Sequence, residues 1–183
     1  MPKRSSYVSS VSPEYALLGF LAKQPAHGYD LHQRLQAELG QVWHIPQSQL
    51  YNLLKRLEKQ GDIAASVVEQ HGLPDRRIYQ LTEQGRQHFS RWMETPSGSS
   101  VRAIRVEFLT RLYFAQQEDP EWAASLILGQ MVETQRGMSQ LQRKLDNLPP
   151  EQIINRLGVE LRVRQLASVL EWLEECRIIL GDT

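Results

Sequence analysis

Residues 47–60 read QSQLYNLLKRLEKQ, with Gly61 next in the chain. Leu50, Leu53, Leu54 and Leu57 recur at i, i+3, i+4 and i+7, the spacing of a helix buried along one stripe. Gly61 is placed to end that helix. The other positions carry a different chemistry. Gln47, Ser48, Gln49, Tyr51, Asn52, Lys55, Arg56 and Lys59 are amides, hydroxyls and cations.

Helical periodicity also precedes this segment. Pro13 and Glu14 suit a first turn, where a fixed φ and an acid at the positive end of the helix dipole are both favourable. Tyr15, Leu17, Leu18, Leu21 and Ala22 form a stripe that Pro25 stops. Tyr29, Leu31, Leu35 and Leu39 share one face of a second helix, Gly28–Leu39, with Gly40 as its C-cap. Gly28 is expected to allow close packing where that helix begins, and His27 to cap it or to touch a phosphate.

After Gly61 the period changes. Residues 63–70 and 76–82 read as two strands, with Val67, Val68, Ile78, Tyr79 and Leu81 as strand formers. Residues 71–75 between them are rich in turn formers. Thr82 and Glu83 then resemble an N-cap and a first-turn acid. They open a helix to about Glu94, with Phe89 and Trp92 on its apolar side.

The expected fold class is therefore mainly α with a small β-hairpin. Three helices, a hairpin and a fourth helix are the layout of a winged helix-turn-helix. In that motif the third helix enters the major groove of DNA and the hairpin touches the flanking backbone. The exposed residues of the third helix suit the task. Gln47, Gln49 and Asn52 can pair with base edges, notably adenine N6 and N7. Ser48 can bond a phosphate or cap the helix, and Tyr51 can stack on a sugar or bond a phosphate through its hydroxyl. Lys55, Arg56 and Lys59 neutralise backbone charge. Arg76 and Arg77 stand at the return strand of the hairpin. Adjacent strand residues point to opposite faces, so only one of them can reach a given phosphate row.

Residues 95–100, rich in Ser with Pro96 and Gly98, read as a linker. They divide a basic arm (1–12) and a winged-helix domain (13–95) from a helical domain (101–183). The helical half is expected to hold one helix over 101–116 and a second from Pro120 to about residue 147, capped by Asp119. Pro149 and Pro150 force a break, and a last helix covers 151–180. Met131, Met138 and Leu145 are seven apart, as are Leu141 and Leu148. Val159, Val163, Leu166, Leu170, Leu173 and Leu180 alternate by fours and threes, with Arg177 at the remaining position. These near-heptad seams are hard to bury in one short chain, and they predict pairing with a second copy.

The chain has 183 residues and 41% hydrophobic content, enough for a core without disulfides or metal. Its single cysteine, Cys176, permits no intrachain disulfide. Formal net charge is zero, divided unevenly. Residues 1–97 hold eleven Lys/Arg and nine Asp/Glu; residues 98–183 hold ten and twelve. That excess permits a nucleic-acid partner without arguing for one.

Other classes fare worse. No apolar run approaches the roughly 20 residues of a membrane span. Residues 1–12 lack an apolar export signal, which makes the cytoplasm the expected location. His27 and His32 are five apart and so do not share a helical face, and His44, His71 and His88 fall in separate elements, so no metal is expected. Cys176 is far in sequence from any histidine, and there is no glycine-rich phosphate loop. No enzymatic activity and no cofactor are expected.

Four blocks carry a family resemblance. They are YALLGFL (15–21), HGYDL (27–31), SQLYNLLKRLE (48–58) and PDRRIYQLTEQG (74–85). Together they resemble the PadR family of transcriptional regulators over about residues 13–90. The resemblance implies a winged-helix DNA-binding domain, a helical dimerisation domain, and repression relieved by a small-molecule effector. The C-terminal half matches only in general helical character. On this reading a homodimer binds a pseudo-palindromic operator on double-stranded DNA, and Trp122 and Trp172 are candidates to line an effector site. The alternative is a winged-helix module that binds another protein.

Overall fold

The computed structural model describes residues 12–68 and 76–181. The first eleven residues of the basic arm, the hairpin tip over 71–75 and the last two residues expected of the first strand, 69–70, lie outside the described residues. Two compact units result, Ser12–Thr95 and the helical part from Pro96 onward.

In the first unit α1 (Glu14–Lys23), β1 (Ala26–His27), α2 (Gly28–Leu39), α3 (Gln47–Gln60), β2 (Ile63–Val68), β3 (Arg76–Leu81) and α4 (Glu83–Glu94) follow in order. α3 has the predicted bounds, with its four leucines buried. α1 departs from the expected single stripe: Ala16, Leu17, Leu18, Phe20 and Leu21 are all buried, because α2, α4 and β3 each pack against it. Each large apolar side chain removed from water this way contributes about 1.5–3 kcal/mol. Tyr15 closes the edge of this core by stacking on Trp92, ring centroids 4.5 Å apart.

The hairpin gains a third strand. β1 pairs antiparallel with β3 (Ala26 opposite Tyr79, His27 opposite Ile78), giving the order β1-β3-β2. Two residues are too few for an alternating pattern to register in a sequence. Tyr29, expected on the apolar stripe of α2, is 54% exposed. It sits in the first turn, where its hydroxyl accepts from Gln33 Nε2.

The helix ends follow local chemistry. Thr82 Oγ1 accepts from the Gly85 amide at 3.1 Å and caps α4. Gly61 adopts φ 82°, the left-handed turn that glycine takes without strain. Gly40 ends α2 differently, staying right-handed while the amides of Val42 and Trp43 fold back onto the Leu39 carbonyl.

The second unit is helical throughout. The helix expected over 101–116 is interrupted: α5 (Val101–Ala103) runs into a π-helical turn (Ile104–Phe108) and then α6 (Leu109–Glu118). α7 (Pro120–Asp146) starts on the Asp119 cap, whose carboxylate accepts from the Glu121 amide at 2.9 Å. α8 (Ile153–Gly181) completes the unit. The predicted linker is partly built in. Ser97 is buried, and Ser99 lies where a Cβ on Gly137 would otherwise fall.

The seams are used in part within the chain. Leu141, Val159 and Leu166 form a buried cluster edged by Met138, Leu145, Leu148 and Val163. α7 and α8 thus bury part of their seams against each other within one chain. The turn through Pro149 and Pro150 folds α8 back onto α7, and Met131, Met138, Leu145, Val163 and Leu170 of the seams stay partly exposed. No helix among the described residues is long and apolar enough to cross a membrane.

Candidate nucleic-acid interface

The leucine stripe of α3 faces the core of the first unit, so the opposite stripe must face solvent. Gln47, Ser48, Gln49, Asn52, Lys55, Arg56 and Lys59 are all exposed, and Tyr51 is half-buried. Three amides, a hydroxyl and a phenol occupy the first turns of the helix; the cations gather toward its C-terminal end.

Tyr51 is held by its neighbour. Gly28 begins α2 against the tyrosine ring, and a Cβ there would stand 2.6 Å from Tyr51 Cε1. The expected close approach at Gly28 is thus toward the exposed stripe of α3. His27 makes no side-chain cap to α2. Its Nδ1 lies 3.2 Å from the Arg77 carbonyl, reinforcing the pairing of β1 with β3.

β3 brings Arg77 to the same region. Its guanidinium donates to Glu58 on α3 at 2.7 Å and lies 5.6 Å from the centre of the Tyr79 ring. Tyr79 is buried, and burial pushes its phenol above the ordinary range; Arg77 opposes this while Glu58 and Tyr51 add to it. Arg56 is also engaged, donating to the Glu14 carboxylate at the start of α1 and to Ser12 Oγ at 3.3 Å. Lys55 and Lys59 have no acidic partner among the described residues. The side chain of Arg76 is outside the described residues.

The C-terminal end of α3 is pinned as well. Asp62 is buried, with His88 Nδ1 at 2.7 Å and Gln84 Nε2 at 3.1 Å from its Oδ1. Gln84 also donates to the Gln60 carbonyl. α4 therefore fixes the point where α3 turns into β2.

Sequence reading placed the α3 residues on one exposed stripe and left Glu14 and Glu58 out. Glu58 was within reach: it lies three residues past Lys55, on the same stripe. Glu14 is 42 residues from Arg56, and no local pattern could link them.

In the second unit Trp172 is half-buried and meets Phe108 edge to face, centroids 6.2 Å apart. Trp122 is half-buried in the first turn of α7. The two make no ring contact with each other among the described residues, and neither lines the open groove along α7 and α8 edged by Met138, Gln142, Arg143 and Val163. A polar group that the sequence did not reveal lies buried beside the π-turn. It contains Glu107, Arg111, Ser97, Gln130 and Thr134, with Arg111 donating to Ser97 Oγ. No group of three or more metal-ligating side chains occurs among the described residues.

Residues 17–91 match the Transcriptional regulator PadR-like family, and residues 104–181 match Virulence activator alpha C-term. The chain is 31% identical over 135 residues to the negative transcriptional regulator PadR of Bacillus subtilis (strain 168), covering 74% of each protein. It is 33% identical over 96 residues to the probable transcriptional regulator Rv1176c of Mycobacterium tuberculosis, covering 52% of this chain and 50% of that one. Among solved structures it is similar to Bacillus subtilis PadR in complex with operator DNA, with 27% identity, a TM-score of 0.44, and coverage of 91% and 96%. An identity of 31% carried over three quarters of a relative's length, together with the matching N-terminal family region, establishes that the chain belongs to the PadR-like family of transcriptional regulators.

Proposed function

We propose that this regulator is a repressor that binds a pseudo-palindromic operator as a homodimer and is released by a small-molecule effector. The observation that carries the reading is the exposed stripe of α3, amides first and cations last, beside the Arg77-bearing strand of the wing. In the bound state Gln47, Gln49 and Asn52 read base edges from the N-terminal turns. Ser48 and Tyr51 bond the sugar-phosphate backbone. Lys55, Arg56 and Lys59 on the helix, with Arg76 or Arg77 on the wing, neutralise phosphates.

The homodimer forms through the helical unit. Its support is apolar surface left over after α7 and α8 have packed: Leu128 and Val132 on α7, and Ile153, Ile154, Leu157 and Leu161 on α8, are more than half exposed. Two recognition helices then present themselves about one DNA turn, roughly 34 Å, apart. An effector in the helical unit, lined by Trp122 or Trp172, favours a state with the wrong separation and lowers operator affinity. The π-turn at Ile104–Phe108, whose Phe108 meets Trp172, supports that placement, since such turns are frequent at functional sites.

Fluorescence anisotropy against the DNA upstream of the protein's own gene, at two salt concentrations and with random duplex as competitor, tests the reading. Binding that survives competitor and weakens steeply with salt is expected, because neutralised phosphates release counterions. Equal binding to random duplex overturns operator recognition and favours a protein-binding module.

A further inference from the structure

Charge in the first unit is balanced. Residues 12–95 contain nine Lys/Arg and nine Asp/Glu. The balance is also local. Four described cations lie on the α3 stripe or the adjoining strand: Lys55, Arg56, Lys59 and Arg77. Both arginines are held by carboxylates, Arg56 by Glu14 and Arg77 by Glu58. Glu58 stands on the stripe itself, one turn beyond Lys55. The structure therefore presents two lysines to an approaching phosphate and withholds two guanidiniums.

Carboxylate and phosphate compete for a guanidinium on the same terms, since both accept its N–H donors from a planar or near-planar pair of oxygens. The arginines are half exposed, at 51% and 45% of their side-chain surface. Their acids are less exposed, at 15% for Glu14 and 32% for Glu58, but a guanidinium half open to water is screened and open to exchange.

Resting on the DNA-binding reading above, we infer that Glu14 and Glu58 are specificity-determining residues. Each is an internal substitute for a backbone phosphate, occupying an arginine until DNA displaces it. The free protein then lacks two of the charges that would hold it to arbitrary DNA. Non-specific affinity is electrostatic and grows with each phosphate neutralised, so these two acids suppress it. The arginines reach phosphate only in a complex close enough to exchange partners.

The test uses full-length protein and the neutral isosteres Glu14→Gln and Glu58→Gln. Binding to random duplex is followed by anisotropy at low salt, with thermal melting recorded alongside. Each variant is expected to bind random duplex roughly two- to fivefold more tightly than wild type, the scale of one exposed ion pair. The gain from Glu58→Gln should be smaller in an Arg77→Gln background, and that from Glu14→Gln smaller in an Arg56→Gln background. If one variant fails to fold, the other, on a separate element, still decides. Unchanged or weaker binding overturns the inference and makes the acids simple braces. A gain that persists in full without the arginine also overturns it, since general repulsion would then suffice. Wild-type protein that binds neither operator nor random duplex overturns the DNA-binding reading itself, and the inference with it.

Discussion

Gly28 and Tyr51 meet at a distance that leaves no freedom. A methyl group at position 28 would press on the ring edge at 2.6 Å, so either the ring or the start of α2 must shift. Gly28→Ala is expected to lower stability by about 1–3 kcal/mol, the usual cost of overpacking. Because the ring is also part of the proposed DNA surface, operator affinity should fall even in protein that remains folded; denaturant titration and anisotropy separate the two effects. Tyr79 carries a second prediction. Burial raises its phenol above the ordinary 10.0. The folded state thus favours the neutral ring, and that contribution is complete below pH 10. It is lost as pH climbs through the higher folded value. Stability measured by urea midpoint should drop more steeply above about pH 10 in wild type than in Tyr79→Phe. Equal slopes would mean that other groups govern the alkaline limb. These residues show what sequence can and cannot disclose at this scale. A glycine before a helix signals close approach without naming the partner, and a tyrosine in a strand does not reveal the acid and base that flank it.

Elements were legible where many residues repeat one signal. α3 offers four leucines at helical spacing, a long run, and a glycine terminator, and its bounds could be read directly. β1 offers two residues and became a strand only because β3 lies beside it. The π-turn is similar: Val106, Leu109 and Leu112 look like an ordinary helical stripe, yet Glu107, Phe108 and Arg111 are buried beside them. The caps were legible because side chain and amide are three residues apart or fewer. Thr82 is the most consequential of them. Its oxygen accepts from Gly85, and its hydroxyl points to the carbonyls of Gly61 and Asp62 at 2.6 and 3.0 Å. It therefore starts α4 and ties it to the end of α3. Thr82→Ala should cost about 1 kcal/mol in thermal or denaturant unfolding, whereas Thr82→Ser, which keeps the hydroxyl, should recover most of it. A full loss in both variants would assign the stability to the methyl group instead.

At the scale of the molecule, the decisive question is what the helical unit does with the apolar surface it has left. The heptad seams suggested a second copy, and α7 and α8 use part of those seams on each other within the chain. Periodicity alone cannot say whether a seam's partner lies in the same chain. The exposed residues say more. Ile153, Ile154, Leu157 and Leu161 occupy the first turns of α8 at spacings of three and four, and each is more than half exposed. A contiguous apolar strip of this kind is unfavourable in water unless covered. If a second copy covers it, replacing Ile154 and Leu157 together with glutamate should place like charges across a two-fold interface, where each substitution occurs twice. Sedimentation should then show a monomer at micromolar concentration, with helical content and the α7–α8 cluster retained. Operator binding should weaken by far more than the loss of any single phosphate contact, because two half-sites would no longer be joined. Half-site binding, and the salt dependence of each recognition helix, should survive. A double variant that stays dimeric would place the self-contact elsewhere, with Leu128 and Val132 on α7 next to be tested. A variant that becomes monomeric yet binds the full operator unchanged would remove the homodimer from the mechanism.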